Sequence, residues 1–308
     1  KALKRMDIED LLSQPENASG CLHDAENREY GFERDMPGRD EPLAGTVSAH
    51  GRHAVVCTGR RRWLCGGLQK ETGSLGRIAT ALKAHRASLA FAVKLTACDA
   101  SSLVAERERL SQSAKSEETL PTLSGLSVSA IDSSDVSVEE DVVDVLVFPD
   151  RVRVCGISTA GHVDQLVALL RKEQIEATVA VASAASRLPA MSVVPLSGHH
   201  IFVCSHADMD KRCGYCGPRL VSAIRSKLTK DGKYPGTEEQ VQVYRSSHVG
   251  GHKWAGNVIC HPAGFWYGYV TPAVLDSVLD SALVHKTPLR THWRGALGMD
   301  KEAQLAAI

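Results

Sequence analysis

Short apolar runs recur along the chain in a fixed order, and the order repeats. His53–Cys57 (HAVVC) is followed by a basic loop to Cys65, and His200–Cys204 (HIFVC) by a loop to Cys213. Each run is short and continuous, so it reads as a buried strand rather than a surface helix. A helical stretch follows each loop, Leu75–Lys83 and Pro218–Leu228, with Pro218 suited to a first helical turn. Next comes a strand, Leu89–Thr96 in the first block and Gln240–Ser246 in the second. Paired strands follow: Val143–Phe148 with Val152–Cys155, then Asn257–His261 with Phe265–Val270. Each block closes on an amphipathic helix, Val163–Leu170 and Pro272–Leu283. In the second helix Val274, Leu275, Val278, Leu279 and Leu283 fall at helical spacing.

The order β-α-β, hairpin, α suits a mixed sheet with helices packed on it. The expected fold class is therefore α/β: two tandem thioredoxin-like domains with mixed central sheets, related by internal duplication. Residues 1–42 are polar and irregular and read as an arm. An N-terminal domain spans 43–180, interrupted by a Ser- and Glu-rich insertion at about 99–141 that is expected to be flexible. Residues 181–198, rich in Ala, Ser and Pro, read as a linker. The C-terminal domain spans 199–290, and 291–308 read as a tail.

Composition narrows the function classes. The chain has 308 residues and a formal net charge of zero, which leaves no electrostatic footprint for nucleic acid. No apolar run approaches the roughly 18 residues of a membrane span. Lys1–Gly20 mix basic and acidic side chains without an apolar stretch, which argues against a signal peptide. Nine cysteines, an odd number spread over this length, do not resemble a disulfide scaffold. A reducing compartment is expected: the cytoplasm, with the plastid stroma as the alternative.

The candidate chemistry lies in the second block. Cys204 ends a strand, Cys213 sits across a loop, and His248 and His252 stand in the segment HVGGH. Two ligand pairs on two loops can converge at one edge of a sheet. Thiolates and imidazoles both bind iron, and a two-cysteine, two-histidine set occurs on iron–sulfur centres. Zinc accepts the same donors. Cys213-Gly-Tyr-Cys216 with the downstream histidines also offers a zinc set without Cys204, or a redox dithiol. Spacing alone leaves these readings open.

Two long segments carry a family resemblance. Cys204–Pro218 (CSHADMDKRCGYCGP) and Ser246–Asn257 (SSHVGGHKWAGN) resemble the two signatures of the sucrase/ferredoxin-like family. Trp266–Pro272 (WYGYVTP) is similar to a following segment, and Tyr30–Arg34 and Leu43–Val47 resemble the N-terminal half of plant-type members. The resemblance implies a thioredoxin-like [2Fe–2S] ferredoxin module of plant or algal type. The cluster ligands it implies are Cys204, Cys213, His248 and His252, with Cys216 and Lys253 beside the cluster rather than on it. It further implies electron transfer coupled to proton uptake at the histidine ligands, cluster-assembly machinery, and a protein redox partner whose identity is open. The expected role is a redox carrier. No carboxylate pair stands out for glycosidase chemistry. Thiol–disulfide exchange at Cys213 and Cys216, or a structural zinc adaptor, are the alternatives.

In the first block Cys57, Cys65 and Cys98 read as equivalents of Cys204, Cys213 and His248, with Ser102 at the fourth position. Without the histidine pair this reads as a decayed site. Lys211, Arg212 and Arg60–Arg62 read as solvated charge or as steering groups, and Trp293 as a packing or recognition residue.

Overall fold

The computed structural model describes residues 43–102, 141–177, 191–230, 234 and 240–308. The arm 1–42, most of the insertion and the start of the linker stretch lie outside the described residues.

The strands are β1 (Arg52–Cys57), β2 (Val93–Cys98), β3 (Val143–Phe148), β4 (Val152–Ile157), β5 (Ser192–Pro195), β6 (His199–Cys204), β7 (Val241–Ser246), β8 (Val258–His261), β9 (Phe265–Tyr267) and β10 (Trp293–Ala296). The helices are α1 (Gly73–Ala84), α2 (Ala160–Leu170), α3 (Lys211–Lys230), α4 (Leu275–Leu279), which runs on as a wider turn through His285, and α5 (Lys301–Ala306). The fold is mixed α/β, as the apolar pattern implied. All ten strands join one mixed sheet in the order β10-β9-β8-β6-β7-β2-β1-β3-β4-β5.

The order is the same read outward from the centre. β1 pairs parallel with β2 and antiparallel with β3, which pairs with β4. β6 pairs parallel with β7 and antiparallel with β8, which pairs with β9. The halves meet at one antiparallel pair, Cys98 opposite Ser246. So narrow a seam lets the two half-sheets fold against each other. Alternation along the strands makes this visible, because successive side chains point to opposite faces. Ala54 and Val56 pack with Leu75, Ile78, Leu166 and Val167 under α1 and α2. Val55, Cys57, Leu146 and Phe148 join the core of the second half instead. There Phe148 stacks on His261 at 3.9 Å between ring centres, and His53 stands 6.0 Å from Phe202. The layers therefore run helices, half-sheet, half-sheet, helices.

Between the half-sheets lies a buried histidine cluster. His53 Nδ1 is 3.0 Å from His261 Nε2, and its Nε2 is 2.9 Å from Thr96 Oγ1. His50 packs edge-on against Trp266. His200 lies beside Phe148 and Tyr244.

Several elements differ from the sequence reading. The stretch 181–198 carries β5, which pairs with β4 and buries Val193. The stretch 291–308 carries β10 and α5, and Trp293 is buried against β9. Pro218 lies inside α3 rather than in its first turn. The helix starts seven residues earlier, at Lys211, because Asp210 caps it: its carboxylate accepts from the Arg212 N–H at 2.9 Å. The strand register also moves one equivalence. Cys57 pairs with Cys98 as Cys204 pairs with Ser246, so Cys98 matches Ser246 and not His248.

Candidate metal centre

Cys204 ends β6, where the strand meets the loop that runs into α3. Cys213 sits in the first turn of α3. The helix approaches the strand end closely because Gly217 presents no side chain there: a Cβ would run into the Cys204 carbonyl and Ser205. His248 follows β7 on the neighbouring loop. The donor atoms of Cys204, Cys213 and His248 all lie within 4.8 Å of one another. His252 is the next ring out, 5.6 Å from His248 between ring centres. It is exposed, His248 is half-buried, and both cysteines are buried. Three of the four expected ligands thus converge, with the fourth beside them at the surface.

The electrostatics suit a soft-metal site. A hydrogen bond from Cys213 holds the Cys204 thiol well below the usual range, against burial, with His248 and the Val249 N–H adding to the effect. Cys213 is pushed up for the same reason, by its bond to Cys204 and by burial. The bond between them thus favours the thiolate, the form that binds metal, at Cys204. The residues fit a [2Fe–2S] group on two observations. His248 Nδ1 is buried without a hydrogen-bond partner, and the converging donors are sulfur and imidazole nitrogen. Two sulfurs with two imidazoles also fit zinc.

The ligand loop is held from several directions. The His248 N–H donates to His206 Nδ1 at 3.2 Å, so His206 carries its proton on Nε2, which donates to the Trp63 carbonyl at 2.7 Å. Trp63 belongs to the first half, so that half braces the site of the second. Gly251 adopts φ 72°, and a side chain there would strike Arg294 and Trp254. Asn257 Nδ2 donates to the Gly251 carbonyl at 3.0 Å. Arg294, from β10, is 2 % exposed. Burial lowers its pKa to about 10, opposed by the charges of Cys204 and Cys213. Lys94 of β2 also reaches the loop, 3.7 Å from where a Gly250 Cβ would stand. Burial lowers its pKa, and the Cys204 charge opposes that shift.

Of the other expected residues, Cys216 is buried on α3 three positions after Cys213, and Lys253 is exposed with Nζ 4.6 Å from the Trp254 ring centre. In the first half Cys57 and Cys98 approach to 4.0 Å between sulfurs, while exposed Cys65 points away to the Asp208 carbonyl. Among the described residues these three do not form a metal-ligand group. Arg60 pairs with Asp141 at 2.8 Å and Arg62 with Asp208 at 3.0 Å. Among the described residues no helix is long and apolar enough to cross a membrane. The sequence reading quoted His206 and Asn257 within its two signature segments without giving them a role, and missed Arg294, Trp63 and Lys94 as parts of the site. HxGGH spacing marks ligands, but nothing local marks a brace that arrives from another strand.

A family model described as sucrase/ferredoxin-like matches residues 43–295. Actin patches distal protein 1 of Saccharomyces cerevisiae is 36% identical over 96 residues, covering 29% of this chain and 30% of that protein. Altered inheritance of mitochondria protein 32 of Meyerozyma guilliermondii is 32% identical over 98 residues, covering 31% of this chain and 33% of that protein. The match thus spans about a third of the length of these curated relatives. Among solved structures, a thioredoxin-like [2Fe–2S] ferredoxin from Aquifex aeolicus is similar, with 22% identity and a TM-score of 0.28, covering 32% of this chain and 90% of that one.

Proposed function

The chain belongs to the sucrase/ferredoxin-like family, and on that premise we propose that it is an electron-transfer protein whose [2Fe–2S] cluster is held by Cys204, Cys213, His248 and His252. The observation that carries this reading is the convergence of Cys204, Cys213 and His248, with His252 beside them at the surface. When bound, the cluster supplies one-electron chemistry, and histidine ligands raise its potential above that of all-cysteine clusters.

The chain's own groups bind, orient and shield. Cys204 and Cys213 offer buried sulfur. His206 orients His248 through its backbone N–H. His252, open to solvent, can hold a proton on the ring nitrogen that binding leaves unused. Electron uptake by a cluster held here would be coupled to proton uptake at that ring. The buried position of Cys216 supports a place beside the cluster rather than a catalytic dithiol with Cys213. The described cysteines are all free thiols, which supports a reducing compartment, the cytoplasm or the plastid stroma. A protein redox partner and cluster-assembly machinery belong to the same proposal, as does the plant or algal type, supported by Leu43–Val47.

Iron and acid-labile sulfide analysis of the purified chain tests it. The expected result is about two of each per chain, as one [2Fe–2S] cluster requires. About four would mean that the first half also carries a cluster. Zinc without sulfide, or a colourless protein without metal, would contradict the reading.

A further inference from the structure

Arg294 makes an unusual set of contacts for a buried cation. Nη1 donates to the Gly250 carbonyl at 3.1 Å and to Asn257 Oδ1 at 2.7 Å. Nε donates to Thr46 Oγ1 at 3.1 Å, and Nη2 to the Thr46 carbonyl at 3.2 Å. Its guanidinium carbon lies 4.8 Å from the Trp254 ring centre. Every one of these partners is neutral. Among the described residues no carboxylate pairs with Arg294. Removing a charge from water without an opposite charge is strongly unfavourable. The opposite charge has to come from elsewhere, and a cluster bound beside the loop that Arg294 holds would supply it on reduction.

The contacts also have a direction. Gly250 lies between the two histidines, and Asn257, which Arg294 holds, binds the carbonyl of Gly251. One planar fork thus holds the Gly250 carbonyl directly and the Gly251 carbonyl through Asn257, two of the three residues that space His248 from His252. Its other edge is anchored on Thr46, in a segment that precedes β1 and whose own N–H bonds back to the Arg294 carbonyl at 3.3 Å.

We propose that Arg294 is the positioning residue of the ligand set: it fixes the loop between His248 and His252 and places a buried positive charge against that loop. This rests on the cluster reading above. Reduction makes the cluster one unit more negative, so a fixed cation beside it favours the reduced form. Lysine would keep the charge but could not reach the loop, Asn257 and Thr46 together.

The test compares the cluster-loaded wild type with Arg294→Lys and Arg294→Gln. The readouts are the rate of iron release to a chelator, the midpoint potential, and the thermal midpoint of the stripped chain. Arg294→Gln is expected to lower the potential, while Arg294→Lys stays near wild type. Both should release iron about 10- to 100-fold faster, the usual cost of losing a group that orients ligands. Unchanged release and potential in both variants, even with a lowered thermal midpoint, would assign Arg294 a purely structural role and overturn the proposal. If neither variant folds, Thr46→Val removes the Nε acceptor, together with that hydroxyl's own bond to the Leu43 carbonyl; it should speed release, and no change would overturn the proposal. Wild type without iron and sulfide would sink the cluster reading instead. The positioning role is then read from amide hydrogen exchange of the Val249–Lys253 loop in the stripped chain, expected to quicken in Arg294→Gln; an unchanged rate counts against Arg294 itself.

Discussion

Cys204→Ser is expected to give a folded, colourless chain with iron and sulfide at background. The side chain ends β6 and is buried in the second core, so serine fits the space while removing the sulfur donor. Among the described residues the only other sulfur in the converging donor group is Cys213 itself. Cys213 is a weaker target for the same question, because Cys216 lies one turn along α3. Residues three apart on a helix share a face, so Cys216 could move in as a substitute sulfur after Cys213→Ser. Cys216→Ser and Cys65→Ser serve as controls and should keep full iron content. Two irons and two sulfides retained by Cys204→Ser would show that the cluster, if present, is held elsewhere. Far-ultraviolet circular dichroism checks that the variant is folded.

Acid should unfold the chain before its carboxylates protonate. Burial pushes His200 down to about 4 from 6.5, with the carbonyl of Ser197 opposing that shift. His53 is pushed well down by burial, by His261 and His50, and by Lys94. His261 is pushed well down by burial, His200 and His50, and His50 is lowered mainly by burial. These rings are neutral in the fold and take up protons once unfolded. Between pH 6.5 and about 4 the unfolded chain therefore binds more protons, so stability is full above pH 6.5 and falls as pH drops through that window. His200 alone accounts for about 3 kcal/mol, a large share of a domain's typical stability. Asp210 is held at about 2 by its bonds to Arg212 and loses that stabilisation only below pH 3.8, so the windows do not overlap. Urea unfolding at pH 7 and pH 4.5 should show the drop, and His200→Gln should reduce it by the share of His200, leaving that of the other three histidines. Equal stability at both values would show that the histidines are not held neutral between the half-sheets.

Much of this architecture is legible in the sequence, and its limits follow from what periodicity can encode. β1, β3 and β6 are continuous apolar runs because both faces of each strand are covered, one by helices and one by the opposing half-sheet. The same runs do not reveal that the halves share a seam at Cys98 and Ser246, since pairing partners are not a local property. β5 and β10 are short edge strands, and β10 carries Gly295 and an irregular register, so neither shows alternation. Pro218 looked like a helix start because proline favours first turns; the capping carboxylate of Asp210 is the signal that placed the true start. The ligands Cys204, Cys213, His248 and His252 stand in two compact segments and could be proposed directly. Arg294, Trp63 and Lys94 reach the same place from β10, the loop after β1, and β2. Only the folded chain brings them there.

The central claim is ligation of one [2Fe–2S] cluster by two cysteines and two histidines. Pulsed electron paramagnetic resonance of the reduced protein, labelled with ¹⁵N-histidine, measures it most directly. Two distinct strongly coupled histidine nitrogens are expected in the wild type, with one missing in His252→Ala. A cluster spectrum without strongly coupled nitrogen, or no paramagnetic signal after reduction, would contradict it.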